Sequence, residues 1–239
     1  MSYGRIGVIG AMDSELAALI AALAQPARET VQGLAFHMGR LGAREVVLVR
    51  CGIGKVSAAR CTQVLIDRFA PAAVINTGIA GGLGAGLAVG DIVVADGLVQ
   101  HDFDAAPIGF VRGCLCMGDP GAPTVFTPDE PLSALLARTA GDAAGAQRVH
   151  RGLIATGDQF ISGAAAKAAL RSAFPSAMAA EMEGGAVAQA ASMSGVPFAV
   201  VRAISDLADG TAAASFEQFE QRAADISARA VMQVLALLD

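Results

Sequence analysis

Residues 46–76 read VVLVRCGIGKVSAARCTQVLIDRFAPAAVIN. An apolar run, Val46 to Val49, leads into Cys51-Gly52-Ile53-Gly54-Lys55, and a second, Ala73 to Asn76, closes the stretch. Between them Ala58, Cys61, Leu65 and Phe69 recur at spacings of three and four, with Arg60, Gln63 and Asp67 on the other side, the period of an amphipathic helix. Strand, glycine turn, helix and strand form the repeating unit of a parallel α/β sheet.

Working outward, Ile6 to Ile9, Ile92 to Ala95, Leu153 to Thr156 and Phe198 to Ala203 are further strand-length apolar runs. Several place Val and Ile on successive residues, which implies burial of both sheet faces. At the far end Phe216, Phe219, Ala223, Ile226, Ala230, Val234 and Leu237 oppose Gln218, Arg222, Asp225 and Arg229, predicting a long closing helix. The expected architecture is one domain over residues 1–239, a three-layer α/β/α sandwich around a mostly parallel, mixed sheet. His101 to Thr127, rich in Gly and Pro without a clean period, reads as an irregular excursion, and long loops in compact domains usually carry function.

Composition narrows the partners. Of 239 residues 54% are hydrophobic, much of that from Ala, and charge, Gly or Pro interrupts every stretch of the length a membrane span needs. The opening MSYGRIGVIG enters a strand-like segment without the basic and small-residue regions of a leader, so no secretory signal is expected and the cytoplasm is. A net charge of −5 and the lack of basic runs with interleaved aromatics exclude nucleic acid as a partner and leave a small molecule. Cys51, Cys61, Cys114 and Cys116 form no CxxC pair and no His pair has ligand spacing, so no metal site is expected.

In an open α/β sheet, ligands collect beyond the carboxyl ends of the strands. The segments expected there are Gly10 to Glu15, Cys51 to Lys55, Thr77 to Gly82, Thr156 to Ile161, Glu181 to Glu183, and Ser205-Asp206. Two nucleotide fingerprints fail. Val56 follows Gly54-Lys55 where a triphosphate loop needs Ser or Thr, and Ser57 stands where a dinucleotide loop needs its third glycine. Three carboxylates remain, Glu15, Glu183 and Asp206. Breaking a bond between a sugar carbon and a purine nitrogen needs protonation of the base, activation of water and a hold on the ribose, and three acids supply these without a metal. Each acid also has a plain structural reading: Glu15 opposite a helix dipole, Asp206 as a helix cap, Glu183 paired with Arg202. Lys55 reads as an ion-pair residue, Glu181 as a partner of Glu183, and His37, His101 and His150 as surface or loop residues.

Taken together, Gly10-Ala11-Met12 with Glu15, Gly52-Ile53-Gly54-Lys55-Val56, Asn76-Thr77-Gly78, Gly90-Asp91-Ile92-Val93, Gly157-Asp158-Gln159-Phe160-Ile161, Glu181-Met182-Glu183 and Arg202-Ala203-Ile204-Ser205-Asp206 resemble the methylthioadenosine/S-adenosylhomocysteine nucleosidases of the purine nucleoside phosphorylase superfamily. The likeness spans nearly the whole chain in order. It implies a nucleoside phosphorylase-like fold and hydrolysis of both nucleosides to adenine and a thioribose product, without a cofactor. By position it makes Glu15 the base that activates water and Asp206 the acid that protonates purine N7. Glu183 would hold the ribose hydroxyls with Met182 against the sugar, Phe160 would stack on adenine, and the Ile161 backbone would read its edge. Ile53, Gly81 and Phe216 would line the site, and Arg202 would order its charges at the substrate.

The resemblance further implies a homodimer in which residues 101–110 of one subunit, Ala105 and Ile108 among them, close the 5′ pocket of the other. Phosphorolytic relatives hold phosphate with arginines where this chain has Met12, Asp13 and Asn76, so water is the expected nucleophile. Ile79 departs from the pattern, standing where many members carry Ser or Thr, and so do Ile108 and Cys116, where Phe and Pro are common. The rival readings are a futalosine-type hydrolase, a phosphorolytic adenosine enzyme, and a nucleoside-binding protein without turnover.

Overall fold

The computed structural model describes residues 4–116, 118–144 and 148–238. The expectation of no leader rests partly on residues 1–3, and residue 117 belongs to the glycine-rich excursion; these positions lie outside the described residues. In chain order the first elements are β1 (Ile6–Gly10), α1 (Asp13–Ala21), β2 (Ala24–Val31), β3 (Leu34–Leu41), β4 (Arg44–Arg50), α2 (Lys55–Phe69) and β5 (Ala73–Gly82). After β6 (Ile92–Gln100) come a 3-10 turn at Ala106–Ile108 and the short β7 (Val125–Phe126). The chain ends with α3 (Glu130–Ala144), β8 (Val149–Thr156), α4 (Ala164–Ala173), β9 (Ala177–Glu181), α5 (Gly184–Met193), β10 (Phe198–Asp206) and α6 (Ala212–Leu237).

Side chains alternate along the central strands as the period of two requires. Ile6, Val8, Val46, Leu48, Ile75 and Val201 pack on one face with Leu16 and Leu19 of α1, Leu132 and Leu136 of α3, and Val231 and Val234 of α6. Ile9, Val47, Val49, Val74 and Val200 pack on the other with Cys61 and Leu65 of α2 and Val187 of α5. Both faces are therefore buried, and each buried Val, Leu or Ile stabilises the fold by about 1.5–3 kcal/mol. The third cluster lies under α4, where Leu170 meets Val99, Ala155 and Ala177. The expected α/β/α layering is the one found.

The sheet runs β10-β6-β8-β9-β5-β1-β4-β3-β2, and β10 also pairs with β5. One half thus curls back on itself. Its longest ladders, β5 with β10 and β6 with β8, are parallel, whereas β10 with β6 and β5 with β9 are antiparallel. Closure brings strand ends together: Thr156 pairs with Glu181, Ala180 with Gly81, and Gly81 with Asp206.

The edge hairpin of β2 and β3 is not visible as an apolar run, because β2 is mostly exposed and contains Pro26. Its two-residue turn, Gln32-Gly33, has φ of 49° and 79°, the left-handed pair that matches strand twist. The Ala-rich β9 hides for a different reason, since alanine is a weak strand former. No helix of the described residues is long and apolar enough to cross a membrane.

Candidate active site

Glu15 stands in the first turn of α1 and folds its carboxylate back over the start of the helix. Its Oε2 accepts the N–H groups of Ala11 at 2.6 Å and Met12 at 3.0 Å, while Oε1 accepts the Ile79 N–H of β5 at 3.1 Å. A helix-dipole role accounts for the Met12 contact but not for a bond to another strand. Burial pushes the Glu15 carboxyl above the usual range, opposed by the Arg202 charge and by the three N–H donors.

This geometry corrects one expectation. Thr77 to Gly82 does not turn away after β5; it continues as strand. A Cβ at Gly78 would lie 2.6 Å from Glu15 Oε1, and one at Gly81 would lie 3.0 Å from Asp206 Oδ1. The glycines let extended backbone pass directly against two carboxylates, a use that looks like a turn signal in the sequence.

Asp206 is the last residue of β10. Its Oδ1 accepts the Ala208 N–H at 2.8 Å and Oδ2 accepts the Ser205 hydroxyl at 2.9 Å. Since α6 begins at Ala212 with Thr211 at its cap position, Asp206 does not cap that helix. Burial raises its carboxyl above the ordinary value, against the pull of those two hydrogen bonds.

Glu183, at the head of α5, accepts the Gly54 N–H at 2.8 Å through Oε1. Burial first, and then repulsion from Glu181, push its carboxyl up to about 8. The alternative pairing of Glu183 with Arg202 is not the one found. Arg202 Nη2 meets Glu181 Oε2 at 2.5 Å and Asn76 Oδ1 at 2.5 Å, and Nη1 donates to the Asn76 carbonyl at 3.2 Å. Glu181 also accepts the N–H groups of Glu183 at 3.1 Å and Gly184 at 2.7 Å, together with the Thr156 hydroxyl. Arg202, expected among the groups touching a substrate, therefore sits behind the wall with its donors committed to protein.

The three acids line one cavity, about 630 Å³ when its open mouth is counted. Ile53, Gly81, Phe160, Ile161, Met182 and Phe216 complete its expected lining. Phe160 is 48% exposed, so it is no core aromatic, and its ring meets that of Phe216 edge-on at 5.6 Å. Ala105 and Ile108 do not line the cavity of the single chain; they lie at the 3-10 turn, with Ile108 exposed. Met12, Gln159 and Ser205 belong to the lining too, and sequence reasoning assigned them no role. Each lies inside a segment expected at the carboxyl ends of the strands, which is the one signal available for it.

Several side chains nearby depart from their sequence readings. His101 lies in the turn after β6, as a loop residue would, but is fully buried, and its ring packs so closely on Gly157 that a Cβ there would fall 2.4 Å from Nε2. His150 is half-buried, its Nε2 3.2 Å from Asp91. Lys55 forms the expected ion pair, with Asp102 at 2.5 Å. Among the described residues no group of three or more His, Cys, Asp or Glu is placed to hold a metal ion.

A family model described as the phosphorylase superfamily matches residues 5–236. The 5′-methylthioadenosine/S-adenosylhomocysteine nucleosidase of Actinobacillus succinogenes is 41% identical, over 98% of this chain and all of its own length. The nucleosidase of the same kind from Neisseria meningitidis, solved with methylthio-immucillin-A, superposes with a TM-score of 0.90 at 37% identity, covering 97% of this chain and 98% of that one. A futalosine hydrolase mutant of Helicobacter pylori gives 0.88 at 32% identity, with 97% and 98% covered. With similarity of this extent over nearly its full length, the chain belongs to the phosphorylase superfamily and, within it, to the 5′-methylthioadenosine/S-adenosylhomocysteine nucleosidase family.

Proposed function

We propose that the protein hydrolyses the N-glycosidic bond of methylthioadenosine and S-adenosylhomocysteine. One observation carries the reading: Glu15, Glu183 and Asp206 face a single cavity whose lining, among the described residues, includes no Lys or Arg. Water attacks C1′ while the bond to N9 breaks and its electron pair passes into the purine. Glu15 takes the proton that water sheds, and Asp206 gives its own to N7. A raised carboxyl suits the acid, which must hold a proton until the base leaves.

Glu183 holds the ribose hydroxyls, whose donors favour its ionised form against burial. Phe160 stacks on adenine, Met182 packs on the sugar, and the Ile161 backbone reads the purine edge. Phosphate is disfavoured as nucleophile because it would meet the Glu15 carboxylate without a cation to offset it. Arg202 does not serve, since its donors are taken by Glu181 and Asn76.

The working form is a homodimer in the cytoplasm, with Ala105 and Ile108 of one subunit closing the 5′ pocket of the other, and the thioribose product enters methionine salvage. Ile108 is an apolar side chain left 74% exposed by the single chain, which supports the dimer. Incubation with methylthioadenosine, S-adenosylhomocysteine, adenosine and futalosine in phosphate-free buffer tests the function. Free adenine from the first two is the expected result; a requirement for phosphate, or base release from futalosine alone, would overturn it.

A further inference from the structure

Three residues from separate segments, Lys55 at the start of α2 and Asp102 and Asp158 in the turns after β6 and β8, close on one another beside the cavity. Asp102, just past β6, accepts from Lys55 Nζ at 2.5 Å through Oδ1 and from the Asp158 N–H at 2.8 Å through Oδ2. Asp158, just past β8, accepts the Lys55 N–H at 2.8 Å through its own Oδ1. The bonds form a ring that returns to its start. The side chains of Lys55 and Asp102 are only 19% and 14% exposed, so solvent screens their charges weakly. Burial by itself would raise the Asp102 carboxyl, yet the Lys55 ammonium and the Asp158 N–H outweigh it and hold it below the ordinary value.

None of the three lines the cavity, but Ile53, two residues before Lys55, and Gln159 and Phe160, directly after Asp158, do. Gly54, immediately before Lys55, donates the N–H that Glu183 accepts at 2.8 Å. It does so from a φ of 95°, and a Cβ there would lie 3.0 Å from Asp158 Oδ1, so the ring and this donor are packed as one piece. Ile53 precedes Gly54, while Gln159 and Phe160 follow Asp158 into the same lining. Movement of the ring displaces the donor to Glu183 and the aromatic wall together.

We propose that the ring of Asp102, Lys55 and Asp158 positions the Glu183 carboxylate for the ribose, with Asp102 as the positioning residue at its centre. The inference rests on the nucleosidase reading and deepens it. Asp102 is the sensitive member because both of its oxygens accept. Asparagine has one acceptor and one amide nitrogen, so whichever way it turns, a donor faces either the Lys55 ammonium or the Asp158 N–H.

The test is a cycle between protein and substrate, using methylthioadenosine and its 3′-deoxy analogue with the native protein, Asp102→Asn and Lys55→Gln. Displacing a substrate-holding group by about an ångström costs on the order of 100-fold, and a fall in kcat/KM of up to that size is expected for each variant on methylthioadenosine. On the deoxy analogue the variants should lose less, because one of the hydroxyls that Glu183 holds is already missing and the two losses do not add. Equal fold losses on both substrates, or native activity in both variants, would overturn the proposal. Lys55→Gln leaves the Lys55 N–H in place and breaks only the Nζ contact, so it decides the matter if Asp102→Asn does not fold. Failure of the native protein to release adenine from methylthioadenosine would instead overturn the function itself. Native turnover indifferent to the 3′-hydroxyl would leave the function standing and reject the role of Glu183 with the proposal.

Discussion

Arg202 and Glu181 form an ion pair at 2.5 Å in which each side chain is only 2% exposed. Twenty-one residues apart on the last strand and the end of β9, they tie the strand that carries Asp206 to the segment that carries Glu183. Both charges have been withdrawn from water, and the remaining donors and acceptors are satisfied by Asn76, Thr156 and the N–H groups of Glu183 and Gly184. Removing one member strands the other. Glu181→Gln is therefore expected to cost about 3–5 kcal/mol, read as a lower urea midpoint at unchanged slope. A variant as stable as the parent would show that the Arg202 charge has another partner.

Gly78 makes a separate prediction, about activity more than stability. A methyl group there would press within 2.6 Å of Glu15 Oε1, the free end of a side chain that can swing. What it swings away from is its bond to the Ile79 N–H and the water it is proposed to activate. Gly78→Ala should lower kcat by roughly 100-fold or more, with a smaller change in thermal midpoint than Glu181→Gln gives. Normal turnover in a folded Gly78→Ala protein would remove Glu15 from the reaction.

What the sequence reveals here depends on how local each signal is. Glu15, Glu183 and Asp206 each follow an apolar run, and the sheet rule alone directs attention to those places. The layering was legible for the same reason, because Val and Ile on successive positions report burial of both faces. Pairings between distant residues leave no such trace. Nothing near Arg202 says that its partner is Glu181 rather than Glu183, and nothing in the separate segments of Lys55, Asp102 and Asp158 says that they meet. Curling of the sheet was equally hidden, since it depends on glycines of β5 whose spacing is also that of a turn. The burial of His101 was missed because its neighbours are polar, whereas the turn that carries it is covered by the loop at Gly157.

That histidine should leave a mark on the pH dependence of stability. Burial holds its ring below the ordinary value of 6.5; Asp102 and Glu181 favour protonation, while Arg112 and Lys55 oppose it. Below 6.5 the unfolded chain takes up a proton that the native ring refuses. Stability must then fall as pH drops from that value toward the lower native one, and the fall ends below both. Urea unfolding between about pH 7 and about pH 5 should show a steeper loss in the parent than in His101→Leu. Parallel curves would mean that the ring charges freely in the native state.

Catalysis by Glu15 and Asp206 demands opposite protonation states, and burial raises both carboxyls. Activity should rise with pH as Glu15 ionises and fall again as Asp206 loses its proton, giving a bell in kcat/KM. Glu15→Gln removes its own share of the rising limb, leaving that of Glu183, and Asp206→Asn removes the falling one, each with a loss of about 100- to 10,000-fold in kcat. Stability moves the other way for Asp206. Its native carboxyl holds a proton at pH values where the unfolded one has let go, so its contribution is complete below the unfolded value and is lost as pH rises through the native one. Asparagine keeps the acceptor for the Ala208 N–H and turns a donor toward Ser205 Oγ. Asp206→Asn should therefore be at least as stable as the parent at neutral pH, with the difference growing as pH increases across that window. A less stable variant with an intact falling limb would assign the proton to another group.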